Sequence, residues 1–136
     1  MLVVSRFVVP ASDGEVLLAD ARAALVAFAG RPGFRSGRLG RASDDPQAWV
    51  LVTEWDGIGA YRRSLSSYDV RVHATPLLAR AEPEAGAYEV LLSTDDAGPP
   101  AVLRSGRAAD AGAVRVGEAA APAVPVEGEP PEPVSQ

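Results

Sequence analysis

His73 is the only histidine in this chain, and histidine is the usual proton carrier near neutral pH. The chain also lacks cysteine and lysine. Any general base working near neutral pH, or any axial imidazole ligand, therefore falls first to His73. Asp69 lies four residues before it and Leu77 four after. On a helix, that spacing would let Asp69 orient the imidazole. Tyr61 and Tyr68 offer phenols that can donate a hydrogen bond to a substrate carbonyl. Trp49 and Trp55, six apart on one strand face, and Phe7 on another strand could wall a pocket for a flat substrate. The candidate site is thus His73, Tyr61 and Tyr68 for chemistry, with Trp55, Phe7 and Trp49 for substrate binding. Each also has a purely structural reading: a histidine near a helix end, two tryptophans and a phenylalanine in a core. Glu54 and Arg6 interrupt apolar strands and read most simply as ion-paired or rim residues.

The same inventory closes off other chemistry. Without lysine there is no Schiff base. Without cysteine there is no disulfide frame, thiolate metal site or cysteine nucleophile. One histidine cannot build a multi-histidine metal centre. No glycine-rich phosphate loop stands between a strand and a helix. The net charge of −5 argues against nucleic-acid or anionic-membrane partners. No apolar run reaches the roughly 18 residues of a membrane span. Met1–Pro10 lacks a basic start and is interrupted by Arg6, so it reads as a strand rather than a signal peptide. The expected location is the cytoplasm.

The 136 residues divide unequally. All eight aromatics lie between Phe7 and Tyr88, and seven of twelve prolines lie at or beyond Pro99. Residues 1–93 carry ten arginines against eleven acids, whereas residues 94–136 carry three against seven. A stretch without aromatics, rich in Ala, Pro, Gly and Glu, buries too little to offset its ordering entropy. The expected division is a folded domain over 1–93 and an acidic tail over 94–136, partly or wholly disordered. Ala101–Arg104 and Ala113–Val116 keep weak strand character and could dock on the domain.

The elements that must position the candidates follow from periodicity. Leu2–Val9 is β-branched and aromatic, a strand. Ser12 and Glu15 have capping-box spacing. Leu17, Ala21, Ala24, Leu25 and Phe28 then form a helical stripe that Gly30 and Pro32-Gly33 end. Phe34–Ala42 is a weaker strand whose Gly37 and Gly40 suggest a bulge or a close backbone approach. A short turn pairs it antiparallel with Ala48–Asp56. A second helical region starts at Ile58, can restart at Ser67 or Asp69, and is broken by Pro76. Ala87–Ser93 is a fourth strand. The order βαββαβ predicts an α+β, ferredoxin-like fold with a four-stranded antiparallel sheet.

That sheet poses a problem. In the third strand one face would carry Trp49, Leu51, Thr53 and Trp55 and the other Val50, Val52 and Glu54; in the first, Val3, Ser5, Phe7 and Val9 oppose Leu2, Val4, Arg6 and Val8. An antiparallel sheet with one wet face should alternate apolar with polar. Exposing a second apolar face forfeits several kcal/mol at about 25 cal/mol per Å². The expectation is a second copy packed on it, a homodimer, with cover by the chain's own tail as the rival.

Pro32-Gly33-Phe34, Gly40-Arg41, Asp44-Asp45-Pro46, the strand Trp49-Val50-Leu51-Val52-Thr53-Glu54-Trp55 and Ala60-Tyr61-Arg62 together resemble the antibiotic biosynthesis monooxygenase domain family. The resemblance covers roughly residues 2–93 and implies a dimeric α+β barrel. It also implies oxidation of an aromatic or phenolic small molecule with no cofactor, flavin, haem or metal. Haem-degrading relatives use an asparagine on the first strand, and a tryptophan and an axial histidine on the second helix. This chain has no asparagine, and Ser64 stands where the tryptophan would be. The alternative is a non-catalytic dimeric barrel that holds a hydrophobic metabolite, or haem at His73.

Overall fold

The computed structural model of the chain describes residues 1–94 and 98–103. Strand β1 spans Leu2–Val8. A 3-10 turn over Ala11–Asp13 leads into α1, Gly14–Ala29. The capping box does not form. Ser12 lies inside the 3-10 turn, so Asp13 becomes the N-cap residue, and it makes no side-chain cap. The apolar stripe holds: Leu17, Ala21, Ala24 and Phe28 are buried. Strands β2, Phe34–Arg41, and β3, Ala48–Trp55, follow as an antiparallel pair.

The second helical region is three short pieces: α2, Ile58–Ser64; α3, Tyr68–His73; and α4, Thr75–Leu78. Ser67 restarts it, its side chain accepting from the Val70 amide. Pro76 sits in the first turn of α4, where its missing N–H costs nothing. Leu77, Val70 and Ala74 turn inward and are buried.

The four-stranded sheet has the order β2-β3-β1-β4 and every pairing is antiparallel. This is the ferredoxin-like α+β arrangement expected from βαββαβ. Its last strand is shorter than the expected Ala87–Ser93: β4 covers only Ala87–Tyr88. The reason is register. The segment before β4 already runs along the β1 edge, with Glu82 N–H donating to Arg6 and Val4 N–H to Gly86. Ala87 then faces Val3 and Tyr88 faces Leu2. Beyond Tyr88, β1 has run out. Leu92–Ser93 (β5) instead pairs with Ala101–Val102 (β6) in a separate hairpin. Of the expected strand Ala101–Arg104, Ala101–Val102 pairs with the chain's own β5, and Arg104 lies outside the described residues. Ala113–Val116 and the acidic tail beyond Leu103 lie outside the described residues.

The core forms between α1–α4 and the sheet face carrying Val3, Phe7, Leu51, Thr53 and Trp55. Two glycines make it possible. A Cβ on Gly37 would stand 2.5 Å from a Leu25 methyl, so α1 packs directly on the β2 backbone there. β2 also shifts register between Phe34 and Ser36. Both features expected of the glycine-bearing strand are present. Gly33 has φ +87 and a Cβ there would collide with Ala60.

Gly33→Ala should therefore destabilise by at least about 1–2 kcal/mol from the left-handed backbone alone. For a domain this size that is a fall in Tm of several degrees. Thermal denaturation followed by circular dichroism reads it, and an unchanged Tm would remove the need for glycine.

Candidate functional site

The site builds outward from Trp55, the last residue of β3. Its side chain is completely buried, so its indole N–H must find a partner inside the protein. It donates to Thr53 Oγ1 at 2.9 Å. Residues two apart share a strand face, so β3 supplies both donor and acceptor. Three rings close on the indole. Phe28 from α1 lies edge-on with centroids 5.4 Å apart, and Phe34 from β2 edge-on at 5.2 Å. Tyr61 from α2 approaches at 5.6 Å and also touches Phe28 at 6.4 Å. These are the offset and edge geometries that aromatic quadrupoles favour.

Tyr61 is the polar member of this cluster. It is half-buried, and loss of water around it pushes the phenol above its usual value of 10.0. Burial disfavours the phenolate, so Tyr61 is a hydrogen-bond donor and not a base at physiological pH. No protein partner among the described residues uses its hydroxyl. A raised phenol pKa also ties folding to alkali. Its contribution is whole below pH 10, and is lost as pH rises through the folded-state value.

The other candidates lie elsewhere. His73 ends α3 and is exposed. It lines a cleft with Asp20 and Arg80. Asp20 and Phe28 are eight residues apart on α1, about 12 Å along the axis. His73 and Tyr61 therefore face different stretches of that helix. Asp69 makes no hydrogen bond or ion pair to His73 among the described residues. Tyr68 is 77% exposed. Phe7 is buried in the core. Trp49 is half-buried opposite Phe7, with the Arg41 guanidinium 5.4 Å above its ring, and its indole N–H has no protein partner. The six candidates do not converge on one cavity. Among the two interrupting charges, Arg6 pairs with Glu84 at 3.1 Å, and Glu54 accepts from Ser36 at 3.4 Å. They are not a cross-strand pair with each other. No cluster of three or more metal-ligating side chains occurs among the described residues.

No family model matches the chain, and no curated protein does. Solved structures do. A candidate antibiotic biosynthesis monooxygenase from Nitrosomonas europaea aligns with a TM-score of 0.55 at 16% identity, covering 66% of this chain and 97% of that one. A second structure named as an antibiotic biosynthesis monooxygenase aligns with a TM-score of 0.50 at 17% identity, over 64% and 92%. SnoaB from Streptomyces nogalater, a cofactor-independent oxygenase, is 29% identical over 66% of this chain and 94% of that one, with a TM-score of 0.49. The chain has the antibiotic biosynthesis monooxygenase fold.

Within that fold, several contacts of the site left little trace in the sequence. Thr53 reads as one more β-branched strand residue, although it satisfies Trp55. Phe28 reads only as part of a helical stripe. Phe34 reads as the start of a strand. What joins them is the crossing of α1, α2 and β2 over the end of β3, and no local period encodes that crossing.

Thr53→Val keeps the shape but leaves the buried indole N–H of Trp55 without an acceptor. The expected cost is about 1–3 kcal/mol, read as a lower urea midpoint at unchanged slope. Thr53→Ser, which keeps the hydroxyl, should recover part of it. Equal midpoints for wild type and Thr53→Val would show the bond contributes nothing.

Proposed function

We propose that this protein is a monooxygenase-type enzyme that oxidises an aromatic or phenolic small molecule with O₂ and without a cofactor. The observation that carries the proposal is the Tyr61 phenol: half-buried on an aromatic cluster, held protonated by its surroundings, and with its hydroxyl unengaged. The monooxygenase fold of the solved structures supports the same reading. A phenol donor placed against the substrate's oxygen would stabilise the phenolate or enolate as it forms. That electron-rich anion passes an electron to O₂. In an anthrone-like substrate the ring CH₂ becomes a carbonyl. One oxygen atom of O₂ enters the product and the other leaves as water, so four electrons move and the balance closes. Water takes the substrate proton. His73 has no part in this reading because it faces a separate cleft.

The purified protein should consume O₂ with an anthrone or hydroquinone substrate. Tyr61→Phe should lower kcat/KM by about 10²–10³, the usual effect of losing one oxyanion donor, while His73→Ala leaves it unchanged. No O₂ uptake above buffer would remove the enzyme reading. The second reading, a barrel that binds a hydrophobic metabolite without turnover, is favoured by the dispersal of Tyr68 and His73 away from Tyr61. Saturable quenching of Trp fluorescence by the same anthrone, with no O₂ uptake, would establish it.

The acting form we infer is a homodimer. The sheet face opposite the helices carries Leu2, Val4, Val50 and Val52, with Val8 60% exposed and Tyr88 41% exposed at its edges. An apolar sheet face of this kind is stable when shared with an identical one across a twofold axis. Sedimentation equilibrium should give twice the 14.1 kDa chain mass at micromolar concentration. Val52→Arg, which puts a charge in the middle of that face, should give a folded monomer. A wild-type monomer at that concentration would contradict the inference.

A further inference from the structure

The groups that the Tyr61 chemistry leaves unused meet in one place. A cleft of about 240 Å³ runs between α1 and the α3–α4 corner, lined by Asp20, His73 and Arg80 together with Ala23, Val72 and Leu77. Arg80 Nη2 donates to Asp20 Oδ2 at 3.0 Å. That single contact leaves most of its five N–H donors for another acceptor. The imidazole carries at least one N–H in either protonation state, and nothing among the described residues engages His73. The rest of the lining is apolar. Leu77 is buried beneath it, and Val72 is 44% exposed at its side. One end therefore offers directed cationic and N–H donors, and the other offers hydrocarbon.

The geometry points to a second binding site, for a small organic monocarboxylate. Arg80 and His73 hold the carboxylate, and the apolar body lies on Ala23, Val72 and Leu77. Three features define the class of ligand. The planar guanidinium fork matches a carboxylate in two bonds, which favours this anion over a spherical one. The volume is below the roughly 300–1,000 Å³ of pockets for drug-sized ligands, so the ligand is about the size of a single substituted ring. Asp20 is already paired with Arg80 and offsets part of its charge, so the cleft has positive charge for one carboxylate and little for a second, and dicarboxylates and phosphate are disfavoured. The site is separate from Tyr61 and stands whether or not the chain oxidises phenols.

The chain's lone histidine makes the test direct. Benzoate is titrated into the full-length protein at constant ionic strength while the His73 imidazole resonances are followed by ¹H–¹⁵N NMR. The expected result is a saturable shift. Benzamide, isosteric but uncharged, should bind at least about tenfold more weakly, as the loss of a charge-assisted contact requires, and phthalate should also bind more weakly than benzoate, because nothing in the cleft balances its second charge. Arg80→Gln, at an exposed position that the fold does not need, should weaken benzoate by a similar factor. Asp20→Asn should narrow the gap between phthalate and benzoate. No saturable shift with benzoate would overturn the inference. So would equal midpoints for benzoate and benzamide, or an unchanged midpoint in Arg80→Gln. A matching response to chloride or phosphate would identify an adventitious ion only, and would overturn it too.

Discussion

A tryptophan with no access to water, at the very end of a strand, is the constraint on which the rest of this fold depends. Trp55 brings a large apolar surface into the core, but its N–H has to be paired there or the full desolvation penalty of that group is felt. The partner is Thr53 on the same strand and the same face. This pairing locks the facing of β3. A slip of one residue would turn both side chains, with Leu51, to the opposite side of the sheet. With the facing fixed, the ring becomes a surface on which Phe28, Phe34 and Tyr61 close from three different elements. Gly33 lets the chain turn tightly enough to bring β2 and α2 together there, because only a residue without a Cβ fits against Ala60.

The same sheet carries apolar residues on its other side, and this connects local structure to assembly. Val4, Val50 and Val52 are only half covered by their own chain. Around them stand Arg6, Arg38 and Glu54, which keep the face soluble without making it polar. The β5–β6 hairpin adds Leu92 and Val102, 61% and 84% exposed. A two-stranded ribbon of this length is marginal by itself. The helices cover one face of the four-stranded sheet, and the other is the face on which the proposed twofold partner would pack.

Much of this architecture is legible in the sequence. The β-branched and aromatic runs of β1 and β3, the stripe on α1, and the breaks at Ser67 and Pro76 are local signals, and local physics produced those elements. The Pro32-Gly33 turn and the close-packed Gly37 of β2 are also readable, because a strand gives up side-chain packing at a glycine mainly where something must rest on its backbone. The length of β4 is not readable, since it ends where β1 ends, and a strand's own residues do not record where its neighbour stops. The capping box at Ser12 failed for a related reason: a 3-10 turn moved the helix start by one residue. The candidate site suffered most. His73, Tyr61 and Tyr68 are close in sequence, but Tyr61 sits on α2 while Tyr68 and His73 stand at opposite ends of α3, and the three reach different surroundings. Tyr61 reached the aromatic cluster, His73 the cleft beside Asp20 and Arg80, and Tyr68 solvent. Residue type identified useful chemistry, and only the helix crossings decided which groups could act together.

What remains chemically distinctive is a phenol kept protonated by its apolar neighbours at the edge of a packed aromatic cluster. A donor of that kind is suited to an oxygen that gains negative charge, and rings around it are suited to a flat partner. The most direct measurement is a crystal structure of the protein soaked with a redox-inert phenol of the anthrone type. The ligand's oxygen should lie within about 2.6–3.2 Å of the Tyr61 hydroxyl, with its rings against the partly exposed edge of the cluster formed by Tyr61 and Phe34. A ligand seated in the His73 cleft alone, or a Tyr61 hydroxyl still without a partner in the fully occupied complex, would contradict the proposed role of Tyr61.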